Sequence, residues 1–161
     1  MLDVTASASV EIPSPLGPLA AQARDGRLVA LRFGERAGRG GATPPELEAA
    51  VEQLGEYFAG RRRTFDLALG LPESPFHRCV LEALLEIPFG ESTTYGRLTT
   101  GLGLPASHAR RVGGAIARNP LAIVIPCHRV LGADGSLTGY AGGLERKEQL
   151  LALEAPQLRL R

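Results

Sequence analysis

Residues 119–130 read Asn-Pro-Leu-Ala-Ile-Val-Ile-Pro-Cys-His-Arg-Val, an apolar run that leads directly into three polar side chains. Between the two prolines lie five apolar residues, two of them isoleucine and one valine, which predict a short buried strand. Pro126 lacks an N–H for a sheet hydrogen bond, so regular pairing is expected to end there. The chain then presents a thiol, a base and a permanent cation in one turn: Cys127, His128 and Arg129.

Cys127 and His128 have the residue types of an activated nucleophile. A cysteine attacks as its thiolate, so its pKa of about 8.5 has to be lowered by a nearby cation or base. His128 is the natural base, and a carboxylate on its other ring nitrogen would orient it. In a last helix predicted over residues 144–153, Glu148 shares a face with Leu144 and is expected to point inward toward a partner. Spacing alone leaves a chance Cys-His pair as the alternative.

Length and composition limit the class of protein. A chain of 161 residues can bury a core as one domain or as two small ones. No apolar run approaches the roughly 20 residues that cross a bilayer, and the first residues lack the layout of a secretory signal, so we expect a cytoplasmic protein without membrane contact. Cys79 and Cys127 show neither CxxC spacing nor a histidine cluster, which predicts reduced thiols and no metal site.

Charge is distributed unevenly along the chain. The formal net charge is +1, yet residues 93–132 contain no acidic side chain and five arginines. Such a stretch suits a polyanion, because phosphate contacts dominate the affinity of proteins for nucleic acids. An ordinary solvated basic face is the alternative, and charge alone does not separate the two.

The N-terminal half is predicted as an antiparallel meander followed by a helix. Asp25-Gly26 is a strong hairpin signal between two strand-like runs. Thr43 with Glu46 resembles a capping box that would start a helix ending at Gly60. The remaining predictions are strands over residues 7–12, 19–24 and 27–33, a loop over 34–41, and a short strand through Phe65, Leu67 and Leu69.

The C-terminal half is predicted to be mainly helical, with the boundary within residues 70–73. Two short helices are expected on either side of a turn at Gly103, the first capped by Thr93 or Thr94 and the second by Ser107. Two neighbouring arginines on the second helix favour a helix-turn-helix, although an αα-hairpin within a core is the alternative. Gly113-Gly114 within that helix predicts the close approach of another helix or of nucleic acid.

Taken together, these sequence motifs resemble those of the O6-alkylguanine-DNA alkyltransferases. Ile-Pro-Cys-His-Arg-Val is similar to the active-site motif of that family, and the similarity runs through nearly the whole chain. The other segments, in family order, are Ser14-Pro-Leu-Gly-Pro-Leu19, Glu56-Tyr-Phe-Ala-Gly60, Ile87-Pro-Phe-Gly90, Thr94-Tyr-Gly96, Arg111-Val-Gly-Gly114, Asn119-Pro120, Gly139-Tyr-Ala-Gly-Gly143 and Arg146-Lys-Glu148.

The resemblance implies an α/β (α+β) fold, with a ribonuclease-H-like domain over residues 1–72 and a winged helix-turn-helix domain over 73–161. It implies direct-reversal repair of double-stranded DNA. In that reaction an alkyl group passes irreversibly from O6-alkylguanine, and from O4-alkylthymine, to Cys127, once per protein molecule. The corresponding activity is that of a methylated-DNA–[protein]-cysteine S-methyltransferase without metal or organic cofactor. A monomer is expected, with cooperative binding along DNA left open.

The resemblance also implies a role for each matching catalytic residue. His128 would deprotonate Cys127 through a water molecule, and Glu148 would hold the histidine. Tyr95 would give a proton to the leaving guanine. Asn119 would brace the turn that carries the cysteine.

A second set of residues is expected to contact DNA. The target nucleotide has to leave the stack, and Arg110 would fill its place from the minor groove, with Arg111 competing for that role. Further DNA contacts are expected from Tyr95, Ser107 and Arg129. The base pocket is expected to consist of Tyr140, Ala141, Gly142 and Val130.

Three other functions stay open at this point. A lesion-binding protein that does not transfer the alkyl group would have no use for Cys127. A cysteine hydrolase would need an oxyanion hole and would turn over. A helix-turn-helix regulator would explain the arginines but leaves Cys127 and His128 without a role.

Overall fold

The computed structural model describes residues 7–34 and 42–155, and the chain divides into two compact units. The first unit contains the residues up to Leu71 together with Pro120–Ala122, and the second contains Pro72–Asn119 and the chain from Ile123 onward. The domain predicted over residues 73–161 includes Pro120–Ala122, which belong to the first unit. Except for Gly34, the predicted loop over residues 34–41 lies outside the described residues.

The first unit contains a three-stranded antiparallel sheet in the order β1-β2-β3. The strands are β1 (Ser7–Ile12), β2 (Leu19–Arg24) and β3 (Arg27–Phe33), which confirms the predicted ranges. Asp25 and Gly26 both have positive φ, 53° and 78°, and the tight turn that joins β2 to β3 requires this conformation. Alternate side chains of β2 are buried, so the sheet has one face in the core.

Helix α1 (Pro45–Phe58) buries Leu47, Ala50, Leu54 and Tyr57 in the core of the first unit. The predicted capping box is wrong, because the N-cap is Pro44 and the helix starts one residue later than expected. The strand predicted at residues 65–69 is also wrong. Leu69 makes a single bridge to Leu28, and the buried Gln53 side chain exchanges two hydrogen bonds with the backbone of Asp66, at 2.8 and 3.0 Å.

Residues 121–125 do not form the predicted strand. Leu121 makes one bridge to Leu31, and the chain turns immediately afterwards. Ile123 is 1% exposed and has φ of 70°, a left-handed conformation that is rare for a β-branched residue. The apolar run therefore reflects a buried turn. A short apolar run cannot be distinguished from a buried strand by its pattern alone.

The second unit begins with α2 (Pro75–Leu85), capped by Ser74, whose hydroxyl accepts a hydrogen bond from the amide of His77. Strand β4 (Thr93–Thr94) leads into α3 (Tyr95–Gly101), a turn at Gly103, a 3₁₀ turn over Ala106–His108, and α4 (Ala109–Ala117). The two helices around this turn confirm the helix-turn-helix. Ser107 lies within the 3₁₀ turn, and His108 is the N-cap of α4, so the predicted cap at Ser107 is wrong.

A second 3₁₀ turn, Cys127–Arg129, carries the cysteine and leads into β5 (Val130–Leu131), which pairs in parallel with β4. The chain then turns at residues 132–136 and ends in α5 (Leu144–Glu154). Within residues 7–34 and 42–155, no helix combines the length and the apolar character needed to cross a membrane.

Candidate active site

A tight turn positions Cys127. Pro126 has φ of −81° and ψ of 63°, the values of an inverse γ-turn, and the amide of Cys127 donates to the carbonyl of Ile125 at 2.8 Å. The Nδ2 group of Asn119 donates to the same carbonyl, also at 2.8 Å. Because one acceptor binds both donors, Asn119 is joined directly to the turn that carries the thiol.

Next to the cysteine in the chain, His128 and Arg129 form a buried hydrogen-bonded cluster with Glu154. The imidazole of His128 is fully buried, and its Nε2 lies 2.7 Å from Oε2 of Glu154. Arg129 donates from Nε to Oε1 of Glu154 at 2.8 Å and from Nη2 to Oε2 at 3.0 Å. Its third nitrogen, Nη1, donates to the carbonyl of Ile87 at 2.6 Å. Both oxygens of the carboxylate are therefore occupied by buried donors.

The carboxylate that contacts His128 is Glu154, and the predicted partner Glu148 is exposed. The buried positions of α5 are Lys147, Leu150 and Glu154. The prediction placed Leu144 in the core, but this residue is 46% exposed, so the helix is rotated relative to the expected phase. The prediction also ended the helix at residue 153, one residue before the carboxylate that contacts His128.

Arg129 was predicted to contact DNA, and the structure contradicts this assignment. The residue is 6% exposed, and its guanidinium is bound to Glu154 and to the backbone of Ile87. A buried guanidinium with these partners is not available to a phosphate or a base. Its neighbours in sequence gave no sign of this, because the carboxylate lies 25 residues away along the chain.

Burial and hydrogen bonding determine the protonation state of His128. Burial lowers the pKa of His128, and the carboxylate of Glu154 acts in the opposite direction. With Glu154 accepting at Nε2, the neutral ring carries its proton there and has a lone pair on Nδ1. Among the described residues, the buried Nδ1 has no hydrogen-bond partner. The ring is therefore arranged as a base on its Nδ1 side.

The thiol of Cys127 is not activated in advance. Burial raises its pKa, and the side chain of Asn119 and the charge of Lys147 only partly oppose this. The expectation of a lowered pKa is therefore not met, and the resting group is a thiol. Removal of its proton has to occur during the reaction, which makes the neighbouring base more important.

Lys147 is a further member of the site, and its position was not predicted from the sequence. It is fully buried on α5, and Nζ donates to the carbonyls of Thr138 and Gly139, at 2.7 and 3.3 Å. Burial lowers the pKa of Lys147, and the nearby Cys127 opposes that shift. A positive charge thus lies close to the thiol while it also holds the following loop. A lysine on the expected polar face of a helix gives no signal of such a position.

The predicted pocket residues lie in the loop that Lys147 holds, with one exception. Tyr140 is half-buried, its hydroxyl has no partner among the described residues, and burial raises its pKa strongly. Ala141 is exposed, and the carbonyl of Gly142 accepts from Arg146 at 3.1 Å. Val130 is fully buried in β5, away from solvent.

Tyr95 joins this loop to the helix-turn-helix. Its hydroxyl donates to the carbonyl of Thr138 at 3.3 Å, the same carbonyl that accepts from Lys147. A Cβ atom added at Gly113 would lie 3.6 Å from the ring of Tyr95. The close approach predicted at Gly113 is therefore made by a neighbouring helix of the protein.

The two arginines of α4 differ in their surroundings. Both are exposed, but the guanidinium of Arg111 lies 3.8 Å from the centre of the Phe76 ring, a cation–π contact. Within the described parts of the chain, no hydrogen bond, ion pair or ring contact holds Arg110. Ser107 is exposed one turn earlier.

Residues 7–34 and 42–155 contain no group of three or more His, Cys, Asp or Glu side chains that could hold a metal ion.

Comparison with known proteins identifies the family. Residues 75–156 match the family described as 6-O-methylguanine DNA methyltransferase, DNA binding domain, and residues 11–71 match its ribonuclease-like domain. The chain belongs to this family. Both the family and the fold class predicted from the sequence are thereby confirmed.

Individual members of the family are similar over most of their length. The methylated-DNA–protein-cysteine methyltransferase of Mycolicibacterium paratuberculosis is 49% identical over 148 residues, with 89% of each chain covered. The crystal structure of Mycobacterium tuberculosis O6-methylguanine methyltransferase has a TM-score of 0.84 at 41% identity, covering 96% of this chain and 99% of that one. Mycobacterium tuberculosis OGT in complex with DNA has a TM-score of 0.80 at 44% identity, covering 94% and 93%.

Proposed function

We propose that this chain repairs DNA by transferring an alkyl group from the O6 atom of guanine to Sγ of Cys127, once per molecule. Membership of the methyltransferase family supports the reaction class, and DNA is the partner. The observation that carries the proposal is the arrangement at His128, whose Nε2 is bound to Glu154 and whose Nδ1 is free beside the cysteine turn.

The thiol proton of Cys127 passes through a water molecule to Nδ1 of His128. A sulfur electron pair forms the bond to the alkyl carbon while the bond from that carbon to O6 breaks, and its electrons move into the guanine. Tyr95 gives a proton to a ring nitrogen of the leaving base, and the proton held by His128 returns to Tyr95 through solvent. The products are a thioether and guanine, and because the thioether is stable, the protein acts once.

The remaining site residues have supporting roles in this proposal. Lys147 stabilises the negative charge that develops on the sulfur, and it holds the loop at Thr138 and Gly139 through two hydrogen bonds. Asn119 holds the turn of Cys127 through the carbonyl of Ile125. Tyr140, Ala141 and Gly142 form the wall of the base pocket, and the same pocket is proposed to accept O4-alkylthymine.

Recognition of duplex DNA requires the target nucleotide to leave the stack, which costs a few kcal/mol. We propose Arg110 as the side chain that fills the space, because the guanidinium of Arg111 is bound to the ring of Phe76. Ser107 lies before the start of α4 and is proposed to contact the backbone. A monomeric, cytoplasmic protein is part of the same proposal, and light scattering with and without DNA tests the monomer.

The test is the mass of the intact protein after incubation with a duplex oligonucleotide that contains one O6-methylguanine. We expect one added methyl group, which peptide mapping places on Cys127, saturation at one per protein, and no addition in Cys127→Ser. The exposed Cys79 serves as an internal control that stays unmodified. Tight binding of the lesion without a change in mass would refute the proposal and favour a protein that only recognises the lesion.

A further inference from the structure

Arg129 is bound in a way that goes beyond packing. All three of its guanidinium nitrogens donate to buried acceptors, two on Glu154 and one on the carbonyl of Ile87. The side chain of Glu154 is 1% exposed, so the charge of this carboxylate needs a partner inside the protein. Arg129 provides it with fork geometry, which matches both carboxylate oxygens.

The net charge beside His128 depends on the ion pair of Arg129 and Glu154. Glu154 and Lys147 face His128 from α5, Arg129 and the thiol of Cys127 adjoin it in its own turn, and Arg129 in turn binds the backbone at the end of α2. The charges of Glu154 and Arg129 cancel, so a proton added to His128 would place a second positive charge beside that of Lys147 in a buried site. Without the guanidinium, the carboxylate would favour a protonated imidazole, opposed by burial and by the charge of Lys147.

We propose that Arg129 is a positioning residue for alkyl transfer: by neutralising and orienting Glu154, it keeps His128 neutral, with Nδ1 free to accept the proton of Cys127. The inference rests on the proposed function for its kinetic consequence. It assigns to Arg129 a role in the chemistry in place of the expected contact with DNA.

Arg129→Met provides the main test. The remaining Glu154 and His128 would take up a proton together and leave Nδ1 occupied. The acidic limb of the pH–rate profile for single-turnover methyl transfer should therefore move to a higher pH by about one unit or more, so transfer at pH 7 should be slower and should recover at higher pH. Arg129→Lys keeps the charge, so its acidic limb should stay within about half a unit of the wild type.

A double variant distinguishes the effect of the Arg129 charge on the pH–rate profile from the effect of losing its packing. In Arg129→Met combined with Glu154→Gln, the cluster again has no net charge, and the Gln oxygen can accept from Nε2 of His128. The acidic limb should then return toward its wild-type position, so Glu154→Gln should raise the rate at pH 7 in the Arg129→Met background. A purely structural role predicts further loss instead. Leu81→Ala, a truncation in the core of α2, is the control for destabilisation and should leave the limb unchanged.

Nitrogen NMR of the histidine side chains gives a readout that does not depend on the reaction. The chain has three histidines, so His77→Gln and His108→Gln assign the signals. At pH 7 we expect neutral His128 protonated at Nε2 in the wild type and in Arg129→Lys, and a doubly protonated ring in Arg129→Met. A neutral ring in Arg129→Met, or a limb shifted by a unit in Arg129→Lys, would overturn the inference. If the wild type transfers no methyl group, the proposed function fails, while the NMR result still decides the role of Arg129.

Discussion

Glu154→Gln tests the central contact of the site, and Glu148→Gln is its matched control. Both residues lie on α5 and both substitutions replace a carboxylate with an amide of nearly the same shape. Glu154 is buried against Arg129 and His128, whereas Glu148 is exposed. The pair therefore compares the carboxylate that the structure places in the site with the one that the sequence predicted.

The expected magnitude follows from the three contacts of Glu154. Its oxygens accept from Arg129 at 2.8 and 3.0 Å and from His128 at 2.7 Å. A Gln side chain has one oxygen, so in either orientation its amide nitrogen would face a donor of Arg129. Removing one partner of a buried ion pair destabilises by about 3–5 kcal/mol, whereas an exposed substitution stays within about 0.5 kcal/mol. Loss of an oriented base should slow transfer by roughly 10²–10⁴-fold.

Urea denaturation and single-turnover methyl transfer are measured on both variants and on the wild type. We expect Glu154→Gln to lose stability and rate together and Glu148→Gln to match the wild type in both. Transfer at neutral pH by Glu154→Gln within twofold of the wild type would refute the assignment of the base. A loss in Glu148→Gln as large as that in Glu154→Gln would refute the observed phase of α5.

Three further predictions concern other parts of the second unit. Lys147→Met removes a charge beside the thiol, so the pKa of Cys127 should rise further and its alkylation by iodoacetamide should slow by about tenfold, which peptide mapping measures. Burial lowers the pKa of both His77 and His128 from the usual 6.5, so the unfolded chain binds protons that the folded chain rejects. Stability should therefore be full above pH 6.5 and fall below it, by at most about 1.4 kcal/mol per pH unit for the buried His128 and by less for His77, and a flat denaturation profile from pH 7 to 5 would contradict this. Arg110→Ala should slow repair of duplex DNA far more than transfer from free alkylguanine, and equal losses on the two substrates would remove its assignment.

Local patterns predicted most of the elements correctly. Strands β1, β2 and β3 follow from alternation and from the Asp-Gly turn, which act within a few residues. The two wrongly predicted strands have a cause that local patterns do not contain. In the apolar run at residues 121–125, Leu121 bridges to Leu31 and the chain then turns, while the backbone of Asp66 is bound by the side chain of Gln53. Both outcomes depend on partners that are distant in sequence.

The residues of the candidate site likewise include some that a local motif predicts and others that depend on distant contacts. Cys127 and His128 were recognisable because they are neighbours in a characteristic motif. Glu154 was missed because the phase of α5 is decided by which side chains the second unit buries, and the buried positions include a lysine and a glutamate. Arg129 was assigned to DNA because its charge is visible in the sequence and its burial is not.

The sequence by itself identified the family, most of the elements, and the proposed nucleophile with its proposed base, since each depends on residue types within a short stretch. Only the tertiary structure decided which carboxylate holds His128, that Arg129 is internal, and that the resting cysteine is a thiol. The physical reason is that pKa values and hydrogen-bond partners depend on burial and on distances between groups far apart along the chain. Glu154 is 26 residues from His128, and the carbonyl of Ile87 is 42 residues from Arg129.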